Sequence, residues 1–559
     1  MRRLSAIAAL ALTFGCSGGS TSTPTEGADG RRDMLVIAWQ SDIGSLTSVV
    51  SQSASDSYIE SMINYPLVDS DFDCSLKKLP GLATEWSWNE DGTVLSMTLR
   101  DDISFSDGHP LTAEDIAFTY ELVADPIVAS PRVSYIEHMV PGKAPLVVDD
   151  HHIEWHFTHA YDRDTQMAHA SALGILPKHI LENADRSTLR GNDFSRNPLS
   201  TGPWMLASHD PNSRVVMEPN PNFTGPDEDQ TQLKRVLFKI IPEYSTRLLS
   251  LESGDVDLME SILVKDADAL RETHPEINLV QRGYRSNDYI GWNLNNPLFT
   301  DVRVRRAMAH AVDIDDIIGK LLTGADGTTY ARRSIGSITP ELCGVYNEDI
   351  TPLSHNKEQA RTLLAEAGWT DTDGDGILDK DGQRFEFTLT TNTGNARRAE
   401  SAVFIQSHLA EVGIKVNIEQ QESQTFFENL RKKDFEAALA GWSAGLFVDP
   451  STMWHSDVVC EEGQEDCEPK KYEFNFTSYS NPRADELIDR GLATPLPEEA
   501  APIWKELQEV IYEDQPYMFL WWQNEIVGVH SRFENTETNV LSPYGHLEHW
   551  SVPVDQVKY

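Results

Sequence analysis

Hydrophobic and polar positions follow two different periods along the chain, which predicts a mixture of strands and helices. Residues 84–100 alternate on both sides of the turn 89–92 and predict a β-hairpin. A helix is predicted to start at Thr112, where the sequence Thr-Ala-Glu-Asp forms a capping box, and to end near Ala124. The first half of the chain therefore combines antiparallel strands with helices.

In the second half, helical and strand-like segments alternate regularly. The predicted helices cover residues 357–367, 397–412, 424–433, 481–492 and 498–512. The predicted strands cover residues 385–391, 415–420, 435–440 and 517–529. This order is typical of βαβ units in a partly parallel sheet, so we expect an α/β fold with antiparallel additions.

The N-terminus has the pattern of an export signal. Arg2 and Arg3 precede the longest apolar run, residues 4–15, which is shorter than the roughly 20 residues that span a bilayer. The run ends at Cys16 and resembles a bacterial lipobox, in which this cysteine is lipidated; ordinary cleavage beside an incidental cysteine is the alternative. Residues 17–33 predict a flexible tether. We therefore expect an exported protein, held at the membrane only by its lipid.

The length and net charge of the chain indicate more than one lobe and argue against a nucleic-acid-binding protein. A chain of 559 residues exceeds the roughly 250–300 residues of one hydrophobic core, so at least two lobes are expected. The 88 acidic and 46 basic residues give a net charge of −42, which repels phosphate backbones. Nucleic acid is therefore not an expected partner.

Four cysteines remain after Cys16, an even number that favours two disulfides in an oxidising compartment. Cys460 and Cys467 enclose a short polar loop, which makes their pairing easy. Cys74 and Cys343 then pair by elimination. Four free thiols are the alternative.

One catalytic motif occurs, Gly-x-Ser-x-Gly at residues 441–445, which offers Ser443 as a nucleophile. The motif should lie between a strand and a helix. Asp449 directly precedes Pro450, and a residue before proline is pushed out of the helical region, so the required helix is not predicted here. A secreted serine hydrolase is a remote alternative.

Two patterns suggest metal binding. His152 and His156 share a strand face but lie roughly 13 Å apart at about 3.3 Å per residue, too far to bind one ion together. Residues 371–382 begin like a calcium loop but have Gly382 where a bidentate glutamate is usual. A structural calcium and an acid-rich turn both fit this pattern, and no other cofactor is expected. The candidate calcium ligands are Asp371, Asp373, Asp375, Ile377 through its carbonyl, and Asp379.

Several blocks occur in a characteristic order: residues 80–88, 91–93, 99–115, 200–204, 251–257, 299–307, 360–369 and 479–482. Together they resemble the family 5 extracellular solute-binding proteins, the oligopeptide and dipeptide receptors of ABC importers. The resemblance extends from Met34 to about Phe533. It implies a monomeric, non-catalytic receptor that captures a peptide or similar polar solute and delivers it to a permease. A sensor with the same fold is the alternative.

The resemblance implies a two-lobe periplasmic-binding-protein clamshell with an extra subdomain and mixed sheets. The expected segments are 34–64, 198–287 and 527–559 for lobe I, 65–197 for the inserted subdomain, and 288–526 for lobe II. Chain crossings near Asp288 and Ile526 are expected to form the hinge.

The resemblance also implies where the ligand binds. The segment Gly441, Trp442, Ser443, Ala444 and Gly445 matches a strand that pairs with the ligand main chain through Gly441 and Ser443. Further ligand contacts are expected from Trp442, Trp521 or Trp522, Tyr135 and Ala54, with core packing as the alternative for the aromatic residues.

One position departs from the peptide receptors of the family. Gly445 stands where they place the aspartate that binds a free ammonium group, and Asp449 matches a structural Asp-Pro instead. We therefore expect a blocked or longer peptide, or a different solute such as a glycan or a nickel chelate.

Overall fold

The computed structural model describes residues 33–51, 53–70, 77–142, 144–226, 230–393, 395–456, 474–536, 538–540 and 542–553, with the side chains of Ala54, Ser423 and Gln424 excepted. Its strands are β1 (Met34–Trp39), β2 (Val68–Ser70), β3 (Lys78–Pro80), β4 (Ala83–Trp88), β5 (Val94–Leu99), β6 (Leu146–Asp149), β7 (His152–His156), β8 (Trp204–Asp210), β9 (Arg214–Pro219), β10 (Arg235–Ile240), β11 (Leu258–Met259), β12 (Ile277–Trp292), β13 (Ala331–Arg333), β14 (Asp379–Lys380), β15 (Gln383–Arg384), β16 (Glu386–Asn392), β17 (Lys415–Gln421), β18 (Ala437–Ser443) and β19 (Tyr517–His530).

The helices are α1 (Ala54–Ile63), α2 (Ala113–Ala124), α3 (Arg163–Ser171), α4 (Lys178–Leu181), α5 (Asp193–Arg196), α6 (Tyr244–Glu252), α7 (Val264–Thr273), α8 (Val302–Ala311), α9 (Ile314–Leu321), α10 (Lys357–Glu366), α11 (Ala396–Ala410), α12 (Ser423–Arg431), α13 (Ser451–Trp454), α14 (Pro482–Leu492) and α15 (Pro497–Asp514).

One large mixed sheet runs through the molecule in the order β17-β16-β18-β12-β19-β11-β1-β10-β9-β8, with β13 added on β19. β16 is parallel to β17 and β18, and β1 is parallel to β10 and β11. The two long strands β12 and β19 are antiparallel and connect the two halves of the sheet. The predicted α/β fold with mixed sheets is confirmed.

A separate antiparallel sheet, β4-β5-β7-β6, is built from residues of the predicted inserted subdomain. It contains the predicted hairpin, as β4 pairs with β5. The predicted capping box is also present, because Thr112 and Asp115 cap each other's main chain at the start of α2. This sheet packs with α2 and α3 around a hydrophobic core that includes Phe105 and Trp155.

The helices and strands predicted in the second half all occur, with ends that shift by a few residues. The largest difference that affects the site is in β18, which is predicted over residues 435–440 but runs from Ala437 to Ser443. The strand continues because β12 pairs with it through Ser443. The expected lobe boundaries stay a prediction.

Candidate functional site

The segment expected to contact the ligand, residues 441–445, lies at the end of β18. Here β18 runs beside β12, with Trp442 opposite Asn287. The pairing continues past the strand, because the Ala444 N–H donates to the Arg285 carbonyl (2.9 Å) and the Arg285 Nε–H donates to the Ala444 carbonyl (2.8 Å). β12 therefore holds this segment firmly along one edge.

The other edge of β18 has no strand partner at this point among the described residues. β16 pairs with β18 only as far as Leu439. Residues of an antiparallel strand point their main-chain N–H and C=O alternately toward the partner and away from it. The main-chain N–H of Ala444 donates to β12, so the main-chain groups of Trp442, two residues earlier, also point toward β12. The main-chain groups of Gly441 and Ser443 therefore point to the open edge.

The position of Gly441 has no space for a side chain. A Cβ atom built there would overlap the Arg398 guanidinium, the Asn287 carbonyl oxygen and a carboxylate oxygen of Asp288. The φ angle of Gly441 is not positive, so space rather than backbone freedom requires glycine at this position.

Two arginines converge on Asp288 beside this edge. Asp288 has a fully buried side chain and accepts hydrogen bonds from Arg397 Nε and Arg398 Nε, each at 2.8 Å. Burial alone would raise the pKa of Asp288, but the two guanidiniums lower it below its usual value. One carboxylate cannot neutralise two cations, so one positive charge remains next to β18.

This cluster was not predicted from the sequence, although the sequence contains a signal for it. Arg397 and Arg398 lie in the first turn of α11, where the helix dipole disfavours positive charge. Two adjacent arginines at such a place indicate a role outside the helix. Asp288 was expected only as a hinge position, and its partners depend on tertiary contacts.

Trp442 is half-buried in an aromatic cluster on the same segment. Its ring stacks on Phe476 at 5.5 Å and meets Phe474 edge to face at 5.2 Å. Phe474 and Phe447 are exposed. These rings form an apolar wall next to the open strand edge.

Trp521 and Trp522 do not form part of that wall. Both have no exposed surface, and Trp521 belongs to the same hydrophobic core as Trp292 and Phe299. In this structure they are core residues, as the alternative allowed, because β19 lies between β12 and β13 in this part of the sheet.

The two residues expected from the other lobe lie in separate elements. Tyr135 is half-buried, stacks on His169 at 5.3 Å and lines a cavity of about 1000 Å³. Ala54 is the first residue of α1, and its side chain is outside the described set. Their contact with a ligand stays a prediction.

Gly445 and Asp449 lie in a smaller cavity of about 330 Å³ beside Trp442. The Asp449 carboxylate accepts hydrogen bonds from the Ser451 N–H (3.1 Å) and hydroxyl (2.6 Å). Asp449 therefore stabilises the start of α13.

The surroundings of Ser443 do not match a nucleophile elbow. Its hydroxyl lies 3.5 Å from the Ser286 hydroxyl, and no histidine of the described chain hydrogen-bonds to it. The next helix, α13, begins only at Ser451. The strand-turn-helix arrangement that would activate this serine is not formed.

An ion pair joins the two long strands β12 and β19 where their register shifts, between Arg282 and Ser286. Arg282 pairs with Glu525, and Ser261 donates a hydrogen bond to Glu525. A cavity of about 560 Å³ opens here between residues of both predicted lobes. Its wall includes Ser261, Lys265, Arg285, Ser286, Arg397 and Ser443.

The predicted inserted subdomain also contacts the predicted lobe II. The N–H groups of Asp162 and Arg163, at the start of α3, donate to the carbonyls of Leu492 (3.2 Å) and Pro495 (3.0 Å).

The predicted calcium loop brings some of its acids together. Carboxylate oxygens of Asp371, Asp373 and Asp379 lie within 4.8 Å of one another, and all three side chains are wholly or partly exposed. Asp375 instead pairs with Arg384 at 2.6 Å, while the Ile377 N–H donates to Asp375. Calcium binding stays a prediction.

Cys343 is disulfide-bonded. Cys74, Cys460 and Cys467 lie outside the described residues, so neither predicted pairing is tested. Cys16 and residues 17–32 of the predicted tether also lie outside them.

A sheet that passes between two halves through two long strands, with a cleft beside an open strand edge, defines a two-lobe binding protein. Residues 78–463 match the sequence model "Bacterial extracellular solute-binding proteins, family 5 Middle". The chain belongs to this family, as the sequence blocks indicated.

Relatives cover nearly the whole chain. Oligopeptide-binding protein AppA of Bacillus subtilis is 28% identical over 536 residues, 95% of this chain and 93% of that protein. Its structure in complex with a nonapeptide superimposes with a TM-score of 0.75, covering 93% and 99% of the two chains. The nickel-binding periplasmic protein of Escherichia coli is 24% identical over 497 residues, 87% of this chain and 88% of that protein.

Within the described residues, none of the helices combines the length and the apolar character needed to cross a membrane.

Proposed function

We propose that this protein is the non-catalytic receptor of an ABC importer and binds a peptide between its lobes. The observation that carries the proposal is the open edge of β18 at Gly441 and Ser443. An extended peptide added to such an edge gains main-chain hydrogen bonds that do not depend on its sequence. The similarity to AppA, whose structure holds a nonapeptide, supports this choice of ligand.

The charge and shape of the cleft suit a peptide as well. The Arg397 and Arg398 pair leaves one positive charge for a carboxylate, either of a C-terminus or of an acidic side chain. The wall around Trp442 can take apolar side chains. Contacts from both lobes would favour the closed form, which the permease then recognises.

The main-chain pairing can be tested with methylated peptides. Mass spectrometry of the solute that co-purifies in the cleft gives the sequence, and calorimetry then compares that peptide with versions methylated at single main-chain nitrogens. We expect methylation to weaken binding more than about tenfold at alternate residues only, because a strand points every second N–H to its partner. Equal affinity of all methylated versions, or a metal chelate or glycan as the bound solute, would overturn the proposal.

A variant of Gly441 tests the same edge from the side of the protein. We expect Gly441→Ala to weaken peptide binding at least tenfold, because its Cβ displaces Arg398 and Asn287. Gly319→Ala is the matched control, since nothing lies within 4 Å of a Cβ at Gly319. Thermal unfolding of both variants separates loss of binding from loss of folding.

We also propose that Cys16 carries a lipid that holds the receptor at the membrane. Residues 17–33 would then give a reach of roughly 20–25 Å, at about 5–6 Å × √n. Cys16→Ser should move the protein from the membrane fraction to the soluble fraction, or leave the uncleaved precursor. Equal membrane partitioning of parent and variant would contradict this.

A further inference from the structure

Three side chains with metal-binding atoms meet near the end of the described chain, away from β18. They are His546, Glu548 and His549, and one ligand atom of each lies within 4.8 Å of the others. His546 Nδ1 is 3.3 Å from a Glu548 carboxylate oxygen, and the two imidazole rings stack at 5.2 Å with a 7° angle between them.

The backbone around this cluster is anchored on both sides. A short 3₁₀ helix, Leu547–His549, follows His546, and Leu547 is buried in the core beside α1. Trp550 is fully buried in the same core, and the Tyr544 hydroxyl donates to Glu260 at 2.8 Å. The ligand atoms are therefore presented by a well-packed segment, as a metal site requires.

Two imidazoles and one carboxylate are a donor set that zinc uses with an open fourth position, and imidazole also suits nickel and copper. Bond lengths of about 2.0–2.2 Å place neighbouring ligand atoms of a tetrahedral site roughly 3.3–3.6 Å apart. The present separations of the three ligand atoms, all within 4.8 Å, approach that spacing. Calcium and magnesium prefer oxygen ligands and fit this set poorly.

The fourth coordination position of such a metal would be open to a cavity. All three side chains line the cavity of about 1000 Å³, whose wall also includes Glu60 and Tyr135. None of its lining residues lines the cavity of about 560 Å³ beside β18. A metal here would thus be held apart from the cleft strand, with water or an exchangeable group as its fourth ligand.

We propose that His546, Glu548 and His549 bind one divalent transition-metal ion of the zinc and nickel class. The site does not depend on the proposed peptide function. An ion that binds only the folded chain also stabilises it, so metal should raise the unfolding temperature.

The test uses the purified full chain after treatment with EDTA. Calorimetry with ZnCl₂ and with NiCl₂, both in excess CaCl₂ to occupy exposed carboxylates, measures the number of bound ions. We expect the double variant His546→Ala/His549→Ala to lose one equivalent that the parent binds. The control variant His152→Ala/His156→Ala removes as many imidazoles and should keep that equivalent.

Glu548→Gln gives a second reading if the double variant folds poorly, because it keeps both imidazoles and changes one oxygen to nitrogen. We expect its zinc affinity to fall more than about tenfold, and the visible absorption of bound Co²⁺ to weaken. The proposal is overturned if the parent binds no zinc or nickel in excess calcium. It is also overturned if Glu548→Gln binds like the parent, or if a folded double variant matches the control.

Discussion

Two buried aspartates of this protein form ion pairs with arginine, and the two groups differ in their net charge. Asp257, directly before β11, faces Arg532, with Nε–Oδ1 and Nη2–Oδ2 distances of 3.0 and 2.8 Å. Asp288, in β12 beside the end of β18, is shared by Arg397 and Arg398. The first pair is neutral and the second has one positive charge in excess.

Their surroundings explain the difference. Asp257 also accepts the Val36 N–H (2.9 Å), and Arg532 donates to the Met34 carbonyl (2.8 Å), so this pair ties β1 to the end of β19. Arg532 has only 7% of its side chain exposed, against 21% for Arg397. A one-to-one pair inside the protein stabilises the fold, whereas a two-to-one cluster at a cleft can also attract an anion.

The largest effect is expected from breaking the neutral pair. Asp257→Ala leaves Arg532 buried without its carboxylate, which should cost about 3–5 kcal/mol of unfolding free energy. Urea unfolding measures this change. The exposed neighbour Asp255→Ala should stay within about 0.5 kcal/mol. Equal stability of the two variants would show that the pair does not support the fold.

Glu60 is a third case, a largely buried acid without an ion-pair partner among the described side chains. Burial raises its pKa to about 8, and its Oε2 accepts the Ser51 hydroxyl at 3.0 Å. Because the folded-state pKa lies above the unfolded value, its contribution to stability is lost as pH rises from about 4.5 to 8.

Glu60→Gln removes this titration, so the variant should gain about 4 kcal/mol over the parent between pH 5 and pH 9. Urea unfolding at both pH values gives the difference. The exposed Glu90→Gln should show no such gain. A stability difference that does not change with pH would contradict the raised pKa.

Substitution in the two-to-one cluster should affect ligand binding more than stability, unlike substitution in the neutral pair. Arg397→Ala leaves Asp288 paired with Arg398, so we expect less than about 1 kcal/mol of lost stability. Affinity for the cleft peptide should fall about tenfold, and the preference for its C-terminal acid over its amide should disappear. Calorimetry tests both, with the exposed Arg361→Ala as the control. A stability loss as large as that of Asp257→Ala would make the cluster structural.

Much of the fold could be predicted because it follows from local patterns and collinear family blocks. The hairpin β4-β5, the capped helix α2 and the alternation from α10 to β18 need only periodicity, caps and turns. The open edge at Gly441 and Ser443 lies where the resemblance implied ligand contacts, which stay a prediction.

The other features of the site depend on tertiary contacts between elements that are distant in the sequence. Residues 517–522 are apolar throughout, so periodicity cannot show that Trp521 and Trp522 are enclosed while Trp442 borders a cleft. Asp288 is 109 residues from Arg397, and only the folded sheet brings them together. The end of β18 was also predicted too early, because its last residues are held by β12 and not by their own apolar pattern.

The smallest effect is expected at the other end of the peptide. The cleft has a surplus cation at Asp288, whereas among the described residues that line the cavity at Gly445 only Asp449 is charged. Asp449 already accepts two hydrogen bonds from Ser451. A free ammonium group would therefore gain little over a blocked one.

Calorimetry should compare the cleft peptide with its N-acetylated form. A buried charge pair would favour the free form by several kcal/mol, whereas a site without that carboxylate should discriminate by less than about 1.4 kcal/mol, or tenfold in affinity. Asp449→Asn should leave this ratio unchanged if the carboxylate only supports α13. A strong preference for the free amine that disappears in Asp449→Asn would show that Asp449 anchors the ligand, and the cleft would then contain a charge of each sign.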